Sequence, residues 1–226
     1  MSPAPPPGAA AQLDRLAALI AASPHNLVAR GERATLRDRH VAECAALVPA
    51  LGIEPGQRWI DVGTGGGLPG LVLAVLTPEV EWTLLDATQK KIDAVRAFAE
   101  DLGLRNVRAV AARAENLAHD PAYRQSYDGA VSRALAALPV VLELSRGFVC
   151  QGGLVAAIKG PRWSEELAAS RAAMEALALE LLHSIEVTST DRPTWLVIMR
   201  ALGPAPPPYP RGEGRPRSDP LGGNRR

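Results

Sequence analysis

The spacing of hydrophobic positions changes along the chain and divides it. Leu13, Leu16, Leu19 and Ile20 recur at helical spacing, as do Leu36, His40, Val41, Cys44 and Leu47, which predicts a helical segment over residues 9–51. Ser23-Pro24 closes its first helix and Leu51-Gly52 its second. Beyond Gly52 short apolar runs alternate with amphipathic stretches, as in a parallel sheet covered on both faces. Strands are predicted over 58–62, 81–85, 106–111, 127–132 and 153–159, and helices over 68–76, 88–102, 134–150 and 164–178, with Thr88 as an N-cap. Two further strands, 181–188 and 194–201, are joined by a turn at Thr190-Asp191-Arg192-Pro193.

The predicted fold is therefore α/β, with a mostly parallel, Rossmann-like sheet of seven strands. Its terminal hairpin places an antiparallel strand inside that sheet, the arrangement of class I S-adenosylmethionine-dependent methyltransferases, whereas dinucleotide-binding domains generally finish with a parallel strand. The expected organisation is a flexible N-terminus (1–8), a helical extension (9–51), a catalytic domain (52–202) and a Pro/Gly-rich tail (203–226) that stays extended or disordered until something binds it.

Composition refines this outline. A chain of 226 residues with 47% hydrophobic content can bury one sizeable core. No apolar run reaches eighteen residues and the first eight lack signal-peptide character, so the expectation is a cytoplasmic protein without a membrane partner. Cys44 and Cys150 have no metal-ligand spacing, and no metal is expected. The net charge of +1 is uneven. From Arg200 onward six arginines against Glu213 and Asp219 give the tail a formal +4, leaving −3 for the rest.

The candidate chemistry begins at Asp61-Val62-Gly63-Thr64-Gly65-Gly66-Gly67, directly after the first strand. Glycines at 63, 65 and 67 let the backbone approach a ligand closely, and the helix that follows offers amides to a carboxylate or phosphate. Gly65-Gly66-Gly67-Leu68-Pro69-Gly70 also fits the dinucleotide fingerprint, and Asp86 stands about 20 residues on, where either cofactor's ribose would accept it. A nicotinamide-dependent oxidoreductase and a non-catalytic RNA-binding module both stay open on this pattern. The lack of a second, substrate-binding domain and of a recognisable hydride-transfer pattern favours a methyl donor. Arg113-Ala114-Glu115-Asn116, at the end of the third strand, is placed to line an adenine.

Taken together, Trp59 to Gly70, Leu84-Leu85-Asp86 with Lys90-Lys91, Arg113-Ala114-Glu115, Val131-Ser132-Arg133-Ala134 and Ile158-Lys159-Gly160 resemble the RsmG (GidB) family of 16S rRNA guanine-N7 methyltransferases. Asn26-Leu27-Val28-Ala29 with Arg39-His40, and Tyr209-Pro210-Arg211 with Gly214-Arg215-Pro216 and Pro220-Leu221, resemble its terminal motifs, so the resemblance spans roughly residues 24–222. It implies S-adenosyl-L-methionine as cofactor, 16S rRNA or the small ribosomal subunit as partner, and N7-methylation of a guanine at position 527 of that RNA by a monomeric enzyme. It also implies that Gly63, Gly65 and Leu68 line the cofactor, Asp86 meets its ribose, Ala114 and Glu115 border its adenine, and Arg133 faces both cofactor and target guanine. A structural ion pair is the alternative for Arg133. His40, Lys159 and Arg211 are the candidates for RNA contact. The chain departs from the family pattern at Glu43-Cys44, where Asp-Ser is usual, and in a tail poorer in lysine.

Overall fold

The computed structural model describes residues 5–25, 27, 33, 35–187 and 193–223, and most of the expected 190–193 turn lies outside them. The chain opens with α1 (Ala9–Ala22), whose Leu13, Leu16 and Ile20 are buried at helical spacing. A π-helical stretch, Leu36–Val41, runs into α2 (Ala42–Ala45), and α3 (Val48–Leu51) ends at Gly52 in the left-handed conformation. Arg15 pairs with Asp101 and the Gln12 side chain donates to the Leu102 carbonyl, so this segment is tied to the sheet domain.

The sheet elements follow in alternation: β1 (Arg58–Val62), α4 (Gly70–Leu76), β2 (Glu81–Asp86), α5 (Gln89–Asp101), β3 (Val107–Ala111), α6 (Ala114–Leu117) and β4 (Tyr127–Arg133). Then come α7 (Leu138–Arg146), β5 (Val149–Lys159), α8 (Trp163–Ala169), α9 (Arg171–Ala176), β6 (Leu179–Val187), β7 (Thr194–Ala201) and α10 (Arg215–Ser218). The seven strands lie in the order β3-β2-β1-β4-β5-β7-β6. β1 to β5 pair in parallel, and β7 enters antiparallel between β5 and β6. This is the expected class I methyltransferase topology. The central strands are apolar on both faces because one core packs them against α1 to α5 and a second against α7 and its neighbours.

The helices depart from the sequence expectation at their ends, for local reasons. α4 begins at Gly70, because the amides of Gly67 and Leu68 turn back to the Thr64 carbonyl. Thr88 sits at the N-cap of α5, yet its side chain makes no capping bond; its amide donates to Asp86 Oδ1 instead. The helix expected over 134–150 shrinks to Leu138–Arg146, its ends taken by the loop after β4 and by the start of β5. The helix expected over 164–178 breaks at Ser170, whose buried hydroxyl bonds back to the Glu166 carbonyl at 2.7 Å.

α7 is buried along its whole length, Glu143, Ser145 and Arg146 included. A helix buried all round must be covered on its outer side, and the tail supplies the cover. The expectation of an extended or disordered 203–226 is corrected for the described part of that segment. Arg146 donates to the carbonyls of Leu177, Val149 and Gly203, binding the tail's root. Burial lowers its guanidinium to about 10. Arg124 donates to the carbonyls of Tyr209, Ala205 and Pro206, and Arg211 seats on Glu143. No helix among the described residues is long and apolar enough to cross a membrane.

Candidate active site

β1 delivers the chain to a sharp turn in which Gly63 and Gly65 take φ of 77° and 58°, values that favour glycine. The amides of Gly63 and Thr64 donate to the Leu85 carbonyl at 2.8 and 2.9 Å, and the Gly65 amide donates to Asp86 Oδ2 at 3.1 Å. Asp86 therefore ties the loop to the end of β2. Gly66 faces Leu27, and a Cβ there would stand 2.8 Å from Leu27 Cβ. Under the loop lies Asp61, fully buried, with Oδ2 accepting the Gly70 amide at 2.9 Å. Burial pushes its carboxyl up to about 6, against the opposing pull of the Thr64 hydroxyl, the Gly70 amide and Arg133. Asp61 Oδ1 and Thr64 Oγ1 find no partner of good hydrogen-bonding geometry among the described residues.

A cavity of about 430 Å³ opens at this edge of the sheet. Gly63, Gly65 and Leu68 line it from the loop, Asp86 from the end of β2, and Ala114 and Glu115 from the start of α6. Glu115 is buried and accepts the Gly214 amide at 3.1 Å, which draws the tail to the rim. A second cavity of about 430 Å³ adjoins the first and shares Leu27, Arg133 and Ala134 with it.

Arg133 thus stands between the two. Its Nη1 donates to His40 Nδ1 at 3.0 Å and to Glu43 Oε2 at 3.2 Å, while Glu43 Oε1 accepts the Thr194 hydroxyl at 2.6 Å. A guanidinium only donates, so His40 Nδ1 accepts and a neutral ring carries its proton on Nε2. Burial opposes the charge on Arg133, but the surrounding Cys44, Glu43 and Asp61 outweigh it and hold the guanidinium above its ordinary value. Cys44, fully buried beside this group, has its thiol pushed up to about 12, chiefly by burial. Ala134 follows with φ 52°, a strained backbone that turns the chain directly after Arg133.

Of the three expected RNA contacts, His40 and Lys159 line the second cavity and Arg211 lines neither. Lys159 lines the second cavity, but its ammonium is buried, donating to Glu166 Oε2 at 2.6 Å and to the Ala136 carbonyl at 2.8 Å. Arg211 lines neither cavity; its backbone and guanidinium hold the buried Glu143, and Asp219 takes the remainder. Each is ion-paired to a carboxylate from a packed neighbour. Sequence reasoning missed Glu43, Thr194 and Arg217. Glu43 lies three residues from His40, and that spacing on a helix is the signal that joins them; Arg217 follows the Gly214–Pro216 helix start, a signal of order in the tail.

The family model described as rRNA small subunit methyltransferase G matches residues 10–195. The chain belongs to the rRNA small subunit methyltransferase G family. Relatives named ribosomal RNA small subunit methyltransferase G include one from Deinococcus deserti, 37% identical over 92% of this chain and 88% of its own. Another, from Deinococcus radiodurans, is 38% identical over 93% and 85%. Among solved structures, a precorrin-6y C5,15-methyltransferase from Geobacter metallireducens aligns with a TM-score of 0.53 at 15% identity over 70% of this chain and 86% of its own. TrmN from Thermus thermophilus aligns at 0.55 and 21% over 74% and 53%. These two speak for the fold alone.

As a member of the rRNA small subunit methyltransferase G family the chain is a methyltransferase, and S-adenosylmethionine is its methyl donor. The first cavity fits that group. Its volume lies in the range of about 300–1,000 Å³ usual for small-molecule sites, its loop leaves no room for Cβ atoms at Gly63 and Gly66, and the Asp86 carboxylate at the end of β2 lines it where a ribose would be met.

Proposed function

We propose that this methyltransferase modifies N7 of a guanine in 16S rRNA. The observation that carries this reading is Arg133, which lines both the cofactor cavity and the cavity beside it, so a base in the second would meet the donor across a single fixed guanidinium. The names of the relatives, ribosomal RNA small subunit methyltransferase G, supply the substrate class. Gly63, Gly65 and Leu68 would hold the cofactor from below, Asp86 would accept its ribose hydroxyls, and Ala114 and Glu115 would border its adenine. When bound, S-adenosylmethionine supplies an electrophilic sulfonium methyl.

Guanine N7 carries an in-plane lone pair, so its attack needs no general base. The carboxylate nearest the junction, Glu43, already accepts from Arg133 and from Thr194, which suits a positioning role. Arg133 would donate to the O6 edge of the guanine, fixing N7 in line with the methyl carbon. His40, locked by Arg133, would complete the wall facing the RNA. We take the enzyme to act as a monomer in the cytoplasm, the second of which a ribosomal substrate supports.

The test is to incubate the protein with labelled S-adenosylmethionine and unmodified 16S rRNA or 30S subunits, then map the label. The expected product is a single 7-methylguanine, detected by chain scission after borohydride and aniline. Label on another atom or another base would overturn the reading.

A further inference from the structure

Four basic side chains line the cofactor cavity: Lys91, Arg113, Arg133 and Arg217. Three are matched to carboxylates, Lys91 to Asp86 at 3.8 Å, Arg113 to Glu213 at 3.7 Å and Arg133 to Glu43 at 3.2 Å. Among the described residues Arg217 has no ion pair. Its hydrogen bond runs from Nη2 to the Leu135 carbonyl at 3.2 Å, and the residue is exposed. A guanidinium carries five N–H donors, so most of this one's face the cavity mouth and solvent.

That placement is built by the fold. The Gly214 amide donates to Glu115, the Asn116 side chain donates to Glu213 at 2.6 Å, Pro216 is buried, and Arg211 sits on Glu143. The tail therefore crosses from the start of α6 toward the loop after β4. There α10 sets Arg217 against Leu135, two residues beyond Arg133.

We propose that Arg217 binds a phosphate of the RNA strand beside the nucleotide that is methylated. The inference rests on RNA being the substrate. The two cations expected for this task, Lys159 and Arg211, are paired with Glu166 and Glu143, whereas Arg217, on the cofactor cavity beside the Leu135 carbonyl, has no carboxylate partner among the described residues. Lys91, Arg113 and Arg133 on the same cavity are each offset by a carboxylate, so an unpaired guanidinium there supplies the local attraction a polyanion needs. Its planar fork also matches two phosphate oxygens at once.

Arg217→Ala and Arg217→Lys, made in the full chain, test this with three measurements: filter binding of unmodified 16S rRNA over a salt series, steady-state kinetics, and calorimetry with S-adenosylmethionine. For Arg217→Ala we expect an RNA KM raised about tenfold with kcat held. The slope of log K against log salt should become shallower by about 0.7, the value for one phosphate contact on a single strand. Arg217→Lys should retain the slope, and cofactor affinity should stay unchanged in both. An unchanged slope in Arg217→Ala would assign Arg217 to its Leu135 bond alone, and weakened cofactor binding with intact RNA binding would assign it to the donor; either overturns the proposal. The salt slope is read wherever the methyl lands, so a product other than 7-methylguanine overturns the functional reading without touching this one.

Discussion

The two cavities that meet at Arg133 are made of different material. The glycine-loop wall of the cofactor cavity is built of backbone, with Gly63 and Gly65 in left-handed conformations and the loop amides bonded to Leu85 and Asp86. The second cavity is walled by long side chains from distant segments, with His40 and Glu43 from the helical extension, Arg133 from β4, Lys159 from β5 and Thr194 from β7. A backbone wall fails when a side chain intrudes on it. A side-chain wall fails when one charge loses its partner.

Gly63→Val should have the largest effect, because it places a β-branched residue at φ 77° with its Cβ 2.5 Å from Leu135 Cδ1. Calorimetry with S-adenosylmethionine should show affinity lowered by at least about 100-fold, on the order of 3 kcal/mol. Near-normal binding would break the claim that backbone geometry makes this cavity.

Arg133→Ala sharpens the contrast from the other side. Removing the guanidinium leaves Glu43 half paired and the target base without its clamp, so kcat on rRNA should fall by about 100-fold, while cofactor affinity should fall by less than about tenfold. Arg133→Lys keeps the charge without the planar fork and should restore little of the rate. Full activity in Arg133→Ala would reduce the residue to a structural ion pair.

The same division explains what was legible in the sequence. A backbone-built site writes glycine at fixed spacing, so Gly63, Gly65 and the strand-end Asp86 could be named from the chain alone. β7 was placed at 194–201 because its apolar run is continuous and its neighbours are turn residues. Side-chain pairings between distant segments leave no such mark. Lys159 and Arg211 look like free cations at a strand end and in a proline-rich tail, and only packing brings Glu166 and Glu143 to them. Proline and glycine content describes what a segment prefers alone; here Arg124, Arg146 and Arg211 pin the tail by its carbonyls and by a buried carboxylate. The apolar run that became α7 held the missing clue, since a helix buried on all sides needs a cover.

Glu143→Gln tests that cover. The carboxylate is fully buried and accepts three bonds from Arg211, so the amide should lower unfolding free energy by about 2 kcal/mol in urea titrations, less than for a fully enclosed pair because Arg211 is 22% exposed. Limited proteolysis should then cut within the tail, and the loss of Arg217 from the rim should raise the RNA KM. A variant that keeps its stability and its protease resistance would show that the tail is held without this pair.

The smallest expected effect lies beneath the glycine loop. The Asp61 carboxyl, pushed up to about 6, stands well above the value of about 3.9 it has in an unfolded chain. The folded protein therefore retains a proton that the unfolded chain releases between those values. Its stabilising contribution is complete below about pH 4 and is lost as pH rises through about 6. Asp61→Asn never ionises, so at pH 8 it should be the more stable protein by about 1 kcal/mol, a Tm gain of a few degrees, and the gap should narrow as the pH falls from 7 to 4. The Asn oxygen can still accept the Gly70 amide, which keeps the start of α4 in place. If that bond is all the loop requires, cofactor affinity will be unchanged in Asp61→Asn; if affinity falls while stability rises, the buried negative charge itself serves the donor site, at a standing cost to the fold.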